Sequence, residues 1–227
     1  MKKLIVTVAA LALSLGAFAQ INFGVKVGGN LANISGVIGE NSGVDFGDLA
    51  KVTPSQSMKL GLNAGVFAEY MVMPMLGIQV EANFSMQGVN TKVESTSALA
   101  GIASTTKYVW SVNYVNVPIL AKGHFGPISA YVGPQLGFAT GFNVKTTTIS
   151  GDKQTTENDK YTDDYNTLDV SLVLGAQYKL TENIGVDARY NIGLTNVFPA
   201  VKNDKGEVTA DAWGKQGVVQ LGVFYEF

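Results

Sequence analysis

The sequence predicts an all-β protein in which eight antiparallel strands close into an up-and-down transmembrane β-barrel. Three observations lead to this prediction. Eight segments alternate apolar and polar residues with a period of two, the pattern of a strand whose two faces meet different surroundings. The connections between these segments alternate between long and short along the chain. After residue 20 no apolar run reaches the ~18 residues of a membrane helix, so any membrane crossing would use strands.

Composition fits this fold class. The chain has 227 residues, enough for one barrel domain, and only 15% of them are charged while 26 are glycine. Low charge and abundant glycine favour a tight barrel over an ordinary soluble domain. The net charge of −2 gives no reason to expect a nucleic-acid partner. The absence of cysteine excludes disulfides and thiolate metal sites.

The first residues have the features of a signal peptide. The start is basic, the apolar core that follows is short, and residues 17–19 read Ala-Phe-Ala, a small-x-small cleavage site. The apolar core is too short to anchor the chain as a membrane helix. We therefore expect a signal peptide over residues 1–19 and the barrel domain over residues 20–227.

The strands can be placed from the alternation itself. The third is the clearest, with Ile78 and Val80 on one face and Gln79 and Glu81 on the other. The apolar phase of the fourth slips by one near Tyr114, which predicts a β-bulge in that strand. The predicted strands are 21–31, 58–70, 76–89, 107–122, 128–142, 165–180, 184–195 and 217–227.

The connections set the two ends of the barrel apart. An even number of antiparallel strands brings every long connection to one end, and every tight turn and both termini to the other. Transmembrane barrels place such long loops outside the cell and the short turns in the periplasm. The polar segments, rich in Gly, Asn, Ser, Thr and Asp, are predicted to be loops. These four long loops are 32–57, 90–106, 143–164 and 196–216.

The apolar faces are predicted to point outward to lipid and the polar faces inward. A soluble barrel such as a lipocalin reverses this assignment, and a soluble barrel with an apolar ligand is the weakest alternative. Small and polar residues fit a narrow hydrogen-bonded lumen, whereas outside they would form an unusually glycine-rich surface. Aromatic residues near strand ends on the apolar face are predicted to form interfacial girdles. These are Tyr108, Trp110, Tyr178, Tyr190, Tyr225 and Phe227.

The inward charges form the candidate site. Lys26, Glu69, Glu81, Asp187 and Arg189 are predicted to form a structural polar network, because unpaired charges in a lumen would be costly. Eight strands leave an interior just wide enough for side chains. The alternative is a proton or ion path through the same residues. The remaining polar residues predicted to point inward are Asp169, Lys179 and Glu226.

Six segments, taken in chain order, match the pattern of a known family: 23–31, 79–88, 114–122, 131–137, 189–194 and 217–227. Together they resemble the small outer-membrane β-barrel family of Bacteroidetes that includes the PorT-like proteins. The resemblance implies an outer-membrane location, and a few members of the family are similar to components of a secretion apparatus. Asn116 departs from the family, which often has an acidic residue there.

The resemblance also suggests partners. The terminal Tyr225 and Phe227 resemble the signal read by the barrel-assembly machinery. Outer-membrane lipid and lipopolysaccharide, and secretion or surface proteins, are the other expected partners. The protein is expected to act by contact, as a membrane-anchored structural or interaction protein. A porin-like narrow channel for small solutes is the alternative.

Neither an enzyme nor a cofactor site is expected. Outer-membrane barrels that resemble the lipid A enzymes need a histidine near the outer leaflet. The single histidine, His124, lies in a short turn at the opposite end. The acids of the third loop lack the spacing of an EF-hand, so a solvated loop is favoured over a calcium site. These acids are Asp152, Glu157, Asp159, Asp163 and Asp164.

Overall fold

Eight strands hydrogen-bond side by side in one closed antiparallel ring, in the order β1, β3, β4, β5, β6, β8, β9, β12 and back to β1. The computed structural model describes residues 21–37, 44–45, 50–97, 102–161, 165–202 and 208–227. The strands are β1 (Ile21–Ile34), β2 (Val44–Asp45), β3 (Ala50–Met73), β4 (Leu76–Ser97), β5 (Ile102–Phe125), β6 (Ile128–Ser150), β7 (Lys153–Tyr161), β8 (Leu168–Lys179), β9 (Ile184–Phe198), β10 (Val201–Lys202), β11 (Val208–Ala210) and β12 (Trp213–Glu226).

The first and last strands complete the ring. Val25 of β1 stands opposite Tyr225 of β12 on one side and opposite Val66 of β3 on the other. The eight-stranded up-and-down topology is therefore confirmed. The predicted signal peptide lies outside the described residues and stays a prediction.

The two ends of the barrel differ as expected. The turns at 74–75, 126–127 and 180–183 share one end, which we call the turn end. The last residue is there too, because the Phe227 amide donates to the Phe23 carbonyl at 2.9 Å. The strand ends that lead into the longer connections lie at the opposite end, which we call the far end.

Apolar side chains cover the outside of the ring. Leu60 is 73% exposed and Val27 is 55% exposed. Lys26, which precedes Val27 in β1 and points to the opposite face, is buried. The interior is thus polar and the exterior apolar, the inverse of a soluble barrel. No helix among the described residues is long and apolar enough to cross a bilayer.

At the far end, three of the four long connections contain much more strand than predicted. β3, β4, β5 and β6 run for 24, 22, 24 and 23 residues, against 14, 12, 15 and 14 for β1, β8, β9 and β12. β7 pairs with the upper part of β6 and adds a further strand. Most of 90–106 and 143–164, predicted as loops, therefore belongs to an open sheet that stands above the ring, which we call the far-end sheet.

The predicted bulge exists, but on the neighbouring strand. The β5–β6 register passes from Asn113 opposite Gly141 to Tyr114 opposite Ala139, so the extra residue is Thr140 of β6. β5 itself keeps one phase throughout. Its upper apolar residues therefore face the lumen together with its lower polar ones, and the prediction of a slip in β5 was wrong.

Two of the predicted girdle aromatics also face inward. Tyr178, Tyr190, Tyr225 and Phe227 are exposed on the apolar exterior. Tyr108 and Trp110 instead pack against buried residues of the interior. At the far end they join a group that we call the apolar cap. Its members are Ile34, Val89, Tyr108, Trp110, Val112, Tyr114, Phe142, Val144, Tyr165, Val197 and Phe198.

The bulge at Thr140 holds the apolar cap in place. Deleting Thr140 would shift the upper half of β6 by one residue and turn Phe142 and Val144 away from the lumen. We expect a loss of more than about 3 kcal/mol of unfolding free energy in urea titrations, since a buried aromatic is lost from the cap.

Thr140→Ala is the matched control, because it keeps the residue count and the Thr140 side chain is exposed. Its unfolding free energy should stay within about 0.5 kcal/mol of wild type. A deletion variant as stable as the alanine variant would contradict this role of the bulge.

Candidate functional site

Glu81 is at the centre of the lumen charges. It accepts hydrogen bonds from Lys26 Nζ at 2.7 Å and from both terminal nitrogens of Arg189 at 2.8 and 3.0 Å. Asn83 donates a further bond at 2.6 Å. Glu81 and Arg189 are 2% and 4% exposed. A fork of two parallel bonds between guanidinium and carboxylate is the strongest geometry available to such a pair.

Asp187 balances the remaining charge. It accepts from Arg189 Nε at 3.0 Å, from the Tyr131 hydroxyl at 2.6 Å and from Gln177 at 3.0 Å. Gly175 leaves the space that Tyr131 needs, because a Cβ there would lie 2.5 Å from the tyrosine oxygen. Two cations, Lys26 and Arg189, are thus matched by two carboxylates.

A second cluster lies nearer the turn end. Glu69 accepts from Lys122 Nζ at 2.8 Å and contacts His124 Nε2 at 2.5 Å, and the other histidine nitrogen lies 3.0 Å from the Ser129 hydroxyl. Glu69 and Lys122 are buried, while the His124 side chain is 20% exposed at the mouth of the barrel. Gly77 makes room for the Glu69 carboxylate.

Gln79 joins the two clusters. Its carbonyl oxygen accepts from Lys122 at 2.9 Å, and its amide nitrogen donates to Glu81 at 2.5 Å. The result is one continuous chain of bonds from Ser129 to Gln177, which we call the lumen network. A single neutral amide thereby satisfies a cation on one side and a carboxylate on the other.

The structure brings four of the five predicted site residues into direct contact: Lys26, Glu81, Asp187 and Arg189. The fifth, Glu69, does not touch Arg189 but pairs with Lys122. Sequence reasoning missed Lys122 and Gln79 as members. Gln79 stands on the polar face of the clearest strand, and Lys122 stands on the face of the fourth strand opposite Val115 and Ile119. The alternation alone could therefore have placed both residues inward.

Above the lumen network the interior becomes neutral and then apolar. Asn30 donates to the Ser85 hydroxyl at 2.8 Å, and Asn63 donates to Asn30 at 2.6 Å. Gln135 bonds Ser171 in the same layer. The apolar cap follows at the far end. The lumen therefore changes from charged, through amide and hydroxyl groups, to aromatic.

The mouth at the turn end carries further polar contacts. Lys179 pairs with Glu226 at 3.0 Å, and Asn183 donates to the Glu226 carbonyl. The Tyr225 and Phe227 rings meet edge to face, 5.3 Å apart, on the exterior. Their role as a barrel-assembly signal stays a prediction.

The second cluster contains the three residue types of a hydrolytic triad, Ser129, His124 and Glu69, at the turn end of the barrel. Ser129 is only 4% exposed, and Glu69 is shared with Lys122. A nucleophile needs access to its substrate, so this geometry favours an anchoring role for the histidine. Among the described residues, no three His, Asp or Glu side chains are grouped to hold a metal ion.

Breaking the Glu81 contacts should be costly. Glu81→Gln leaves Lys26 without a carboxylate and Arg189 with only Asp187, so two buried cations share one anion. We expect a loss of about 3–5 kcal/mol of unfolding free energy, measured by urea titration of the protein in detergent micelles.

Glu226→Gln makes the same change in the more exposed Lys179 pair and should cost at most about 1 kcal/mol. Combining Glu81→Gln with Lys26→Met restores charge balance and should recover part of the loss. Equal costs for the two single variants would show that the lumen network does not stabilise the barrel.

The sequence was also compared with known proteins. The family model described as outer membrane protein beta-barrel domain matches residues 18–199. No curated protein matches. Three solved structures cover 91–92% of this chain and 97–98% of their own: Neisserial surface protein A (12% identity, TM-score 0.41), Ail, the attachment invasion locus protein of Yersinia pestis (14%, 0.39), and outer membrane protein W of E. coli (15%, 0.36). No activity or partner follows from these likenesses.

The match to the family model covers most of the chain and agrees with the closed ring, the apolar exterior and the polar lumen. Transmembrane barrels place their short turns in the periplasm, so we expect the turn end to face the periplasm and the far end to face outward. The chain belongs to the outer membrane protein β-barrel domain family and lies in the outer membrane.

Proposed function

We propose that this protein is a closed, non-conducting barrel that acts by contact, as a membrane-anchored structural and interaction protein. The observation that supports this most is the filled lumen. Paired charges occupy it at the turn end, amides and hydroxyls follow, and the apolar cap covers the far end. An apolar constriction resists wetting. Charges that are paired with one another are not available to replace the hydration shell of a passing ion.

The far-end sheet is the part suited to contact. β3, β4, β5 and β6 continue beyond the ring as paired strands, so the surface they present is held in place by backbone hydrogen bonds. A surface of this kind is pre-organised for binding, since little conformational entropy is lost when a partner arrives. β7, at one side, adds an exposed strand.

We propose no catalytic role and no cofactor. The histidine cluster near the turn end is satisfied internally, with Lys122 and His124 both held by Glu69. The lumen network is proposed to be structural for the same reason. The charged side chains of the lumen network form ion pairs with one another, so we propose that they do not transfer protons or ions.

Within the family, we propose a place among the PorT-like proteins of Bacteroidetes. Segments 79–88 and 114–122 resemble that branch, and both contribute to the lumen network. A role in a secretion apparatus, export through a signal peptide over residues 1–19 and insertion by the barrel-assembly machinery belong to the same proposal. Outer-membrane lipid, lipopolysaccharide, and secretion or surface proteins are the proposed partners.

A closed lumen predicts silence in single-channel recordings. The wild-type protein in a planar bilayer at high salt should give no discrete current steps, whereas a sixteen-stranded porin recorded in parallel should give them. Reproducible steps that change when Arg189 is replaced by Gln would contradict the closed barrel and favour the narrow-channel alternative.

Photoreactive residues in the native membrane would test the contact role. We expect Asn158 on β7 and Glu182 in the periplasmic turn to capture defined proteins, because both side chains are exposed beyond the apolar exterior. Leu194, on that exterior, is the matched control and should capture lipid only. The captured molecules would be identified by mass spectrometry.

The capture site decides between roles. A periplasmic or outer-membrane protein captured at Glu182 would support membership of a secretion apparatus. Capture at Asn158 alone would support surface recognition instead. Lipopolysaccharide alone at both positions would contradict the secretion role and leave a barrel that stabilises the membrane.

A further inference from the structure

Three lysines stand together on the outward face of the far-end sheet. Lys92 of β4 lies directly opposite Lys107 of β5. Val109, two residues from Lys107, lies opposite Lys145 of β6, so Lys107 and Lys145 are diagonal neighbours. Side chains in these positions are roughly 5–8 Å apart at their Cβ atoms. We call these three residues the basic stripe.

The register assigns the basic stripe to the outward face. Val89, Trp110 and Val144 form one row across the same strands, and they belong to the apolar cap inside. Because side chains alternate between faces, a residue an odd number of positions away points outward. Lys92 and Lys107 are each three positions from that row, and Lys145 is one.

Little within the protein neutralises these cations. Glu94 forms an ion pair with Lys92 at 2.5 Å, at a position where both side chains are about half exposed. Within the described part of the chain, no carboxylate lies within ion-pairing distance of Lys107 or Lys145. Like charges directly opposite one another destabilise a sheet, so the Lys92–Lys107 pair disfavours this surface unless an anion joins it.

Hydrogen-bond donors surround the pair. A surface depression of about 290 Å³ lies beside Lys92 and Lys107, and Ser55, Ser57 and Asn90 also line it. Ser57 and Asn90 are opposite each other in the row below the lysines, and Ser55 is in the same row as Lys92. Ser55 already donates its hydroxyl proton to the Lys92 carbonyl at 3.4 Å, and Asn90 donates one amide N–H to the Met58 carbonyl at 3.1 Å. The two lysine ammonium groups, the Ser57 hydroxyl and the second amide N–H of Asn90 are left for a ligand, and groups of these types bind phosphate oxygens.

The height of the basic stripe narrows the choice of anion. Its lysines lie six to eight residues beyond the last exposed apolar residues of their strands, Met86, Val115 and Phe138. At ~3.3 Å per residue and a tilt of ~40°, that is roughly 15–20 Å above the hydrocarbon. The polar layer of a phospholipid leaflet is only about 5–8 Å thick. A phospholipid phosphate therefore lies below the basic stripe, whereas the phosphates of a lipid with a larger headgroup reach its height.

We propose that the basic stripe binds the phosphorylated sugars of lipopolysaccharide in the outer leaflet. Lys92 and Lys107 hold one phosphate in the depression, and Lys145 contacts a second along the same face. This site fixes the barrel against the lipid that surrounds it and leaves the inward face of the far-end sheet free. It rests on the outer-membrane location and not on the closed lumen, so a conducting barrel would leave it standing.

Binding of purified full-length protein to lipopolysaccharide tests the site. The probes are intact lipopolysaccharide, the same material after phosphatase treatment, phosphatidylglycerol vesicles and inorganic phosphate. Each lysine near an anionic surface is worth roughly fivefold in affinity, so the triple variant K92Q/K107Q/K145Q should bind intact lipopolysaccharide on the order of 100-fold more weakly. Dephosphorylated material should bind wild type about as weakly.

Three control variants keep the test independent of folding. The corresponding triple arginine variant keeps the charge and should bind within a few fold of wild type. K51Q/K153Q removes two charges elsewhere on the far-end sheet and should bind like wild type. E94Q removes the competing carboxylate and should bind more tightly than wild type.

Several results would overturn the proposal. Binding by the glutamine variant within twofold of wild type would do so, as would undiminished binding of dephosphorylated lipopolysaccharide. Equal, lysine-dependent binding of phosphatidylglycerol or of inorganic phosphate would assign the site to a simple anion instead of the glycolipid. Weaker binding by E94Q would also contradict it.

Discussion

A narrow lumen can hold charged side chains only if each is paired inside it, and Glu81 is the residue through which this pairing runs. It joins Lys26 and Arg189 directly, and through Gln79 it reaches Lys122 and Glu69. These residues come from five strands, β1, β3, β4, β5 and β9. Closing the ring and neutralising the lumen are therefore one event, since no pair is complete until its strands are in register.

The period-two alternation predicted the ring because it reports a difference between two solvents. Where lipid meets one face and the lumen the other, as at Val80 and Glu81, the sequence must alternate. Above the membrane, β4 and β5 continue as strands with water on both faces. Thr96 and Thr105 suit a strand, but no longer alternate with apolar residues, so the sequence there resembled a loop. Without alternation the register of β4 and β5 cannot be predicted there, so the sequence does not show that Lys92 and Lys107 are neighbours.

The lumen charges could be predicted only where the sequence shows which face of a strand points inward. Lys26, Glu81, Asp187 and Arg189 stand on polar faces of regular strands, and the structure brings them together. The upper half of β5 was assigned to the wrong face, because it carries apolar residues on its inward face at the far end, where Val112 and Tyr114 close the lumen. An inward apolar residue and an outward one look alike in sequence. The register that separates them is set by one extra residue, Thr140, on the strand next to it.

Charge is treated differently in the two halves of the molecule, and the difference follows from dielectric surroundings. In the lumen, Arg189 has two carboxylate partners, because an unpaired ion there would cost several kcal/mol. On the far-end sheet, Lys107 and Lys145 stand in water, where leaving a lysine unpaired costs little. Single unpaired lysines are common on protein surfaces. Here, among the residues that the structure describes, two of three neighbouring lysines have no carboxylate partner, and the third, Lys92, pairs with Glu94. Their potential adds over a few ångströms, within one Debye length of roughly 8 Å, and acts on whatever anion lies at that height. The lumen charges thus pair with one another and hold the ring closed. The lysines on the outward face of the far-end sheet can instead bind an anion of the surrounding membrane.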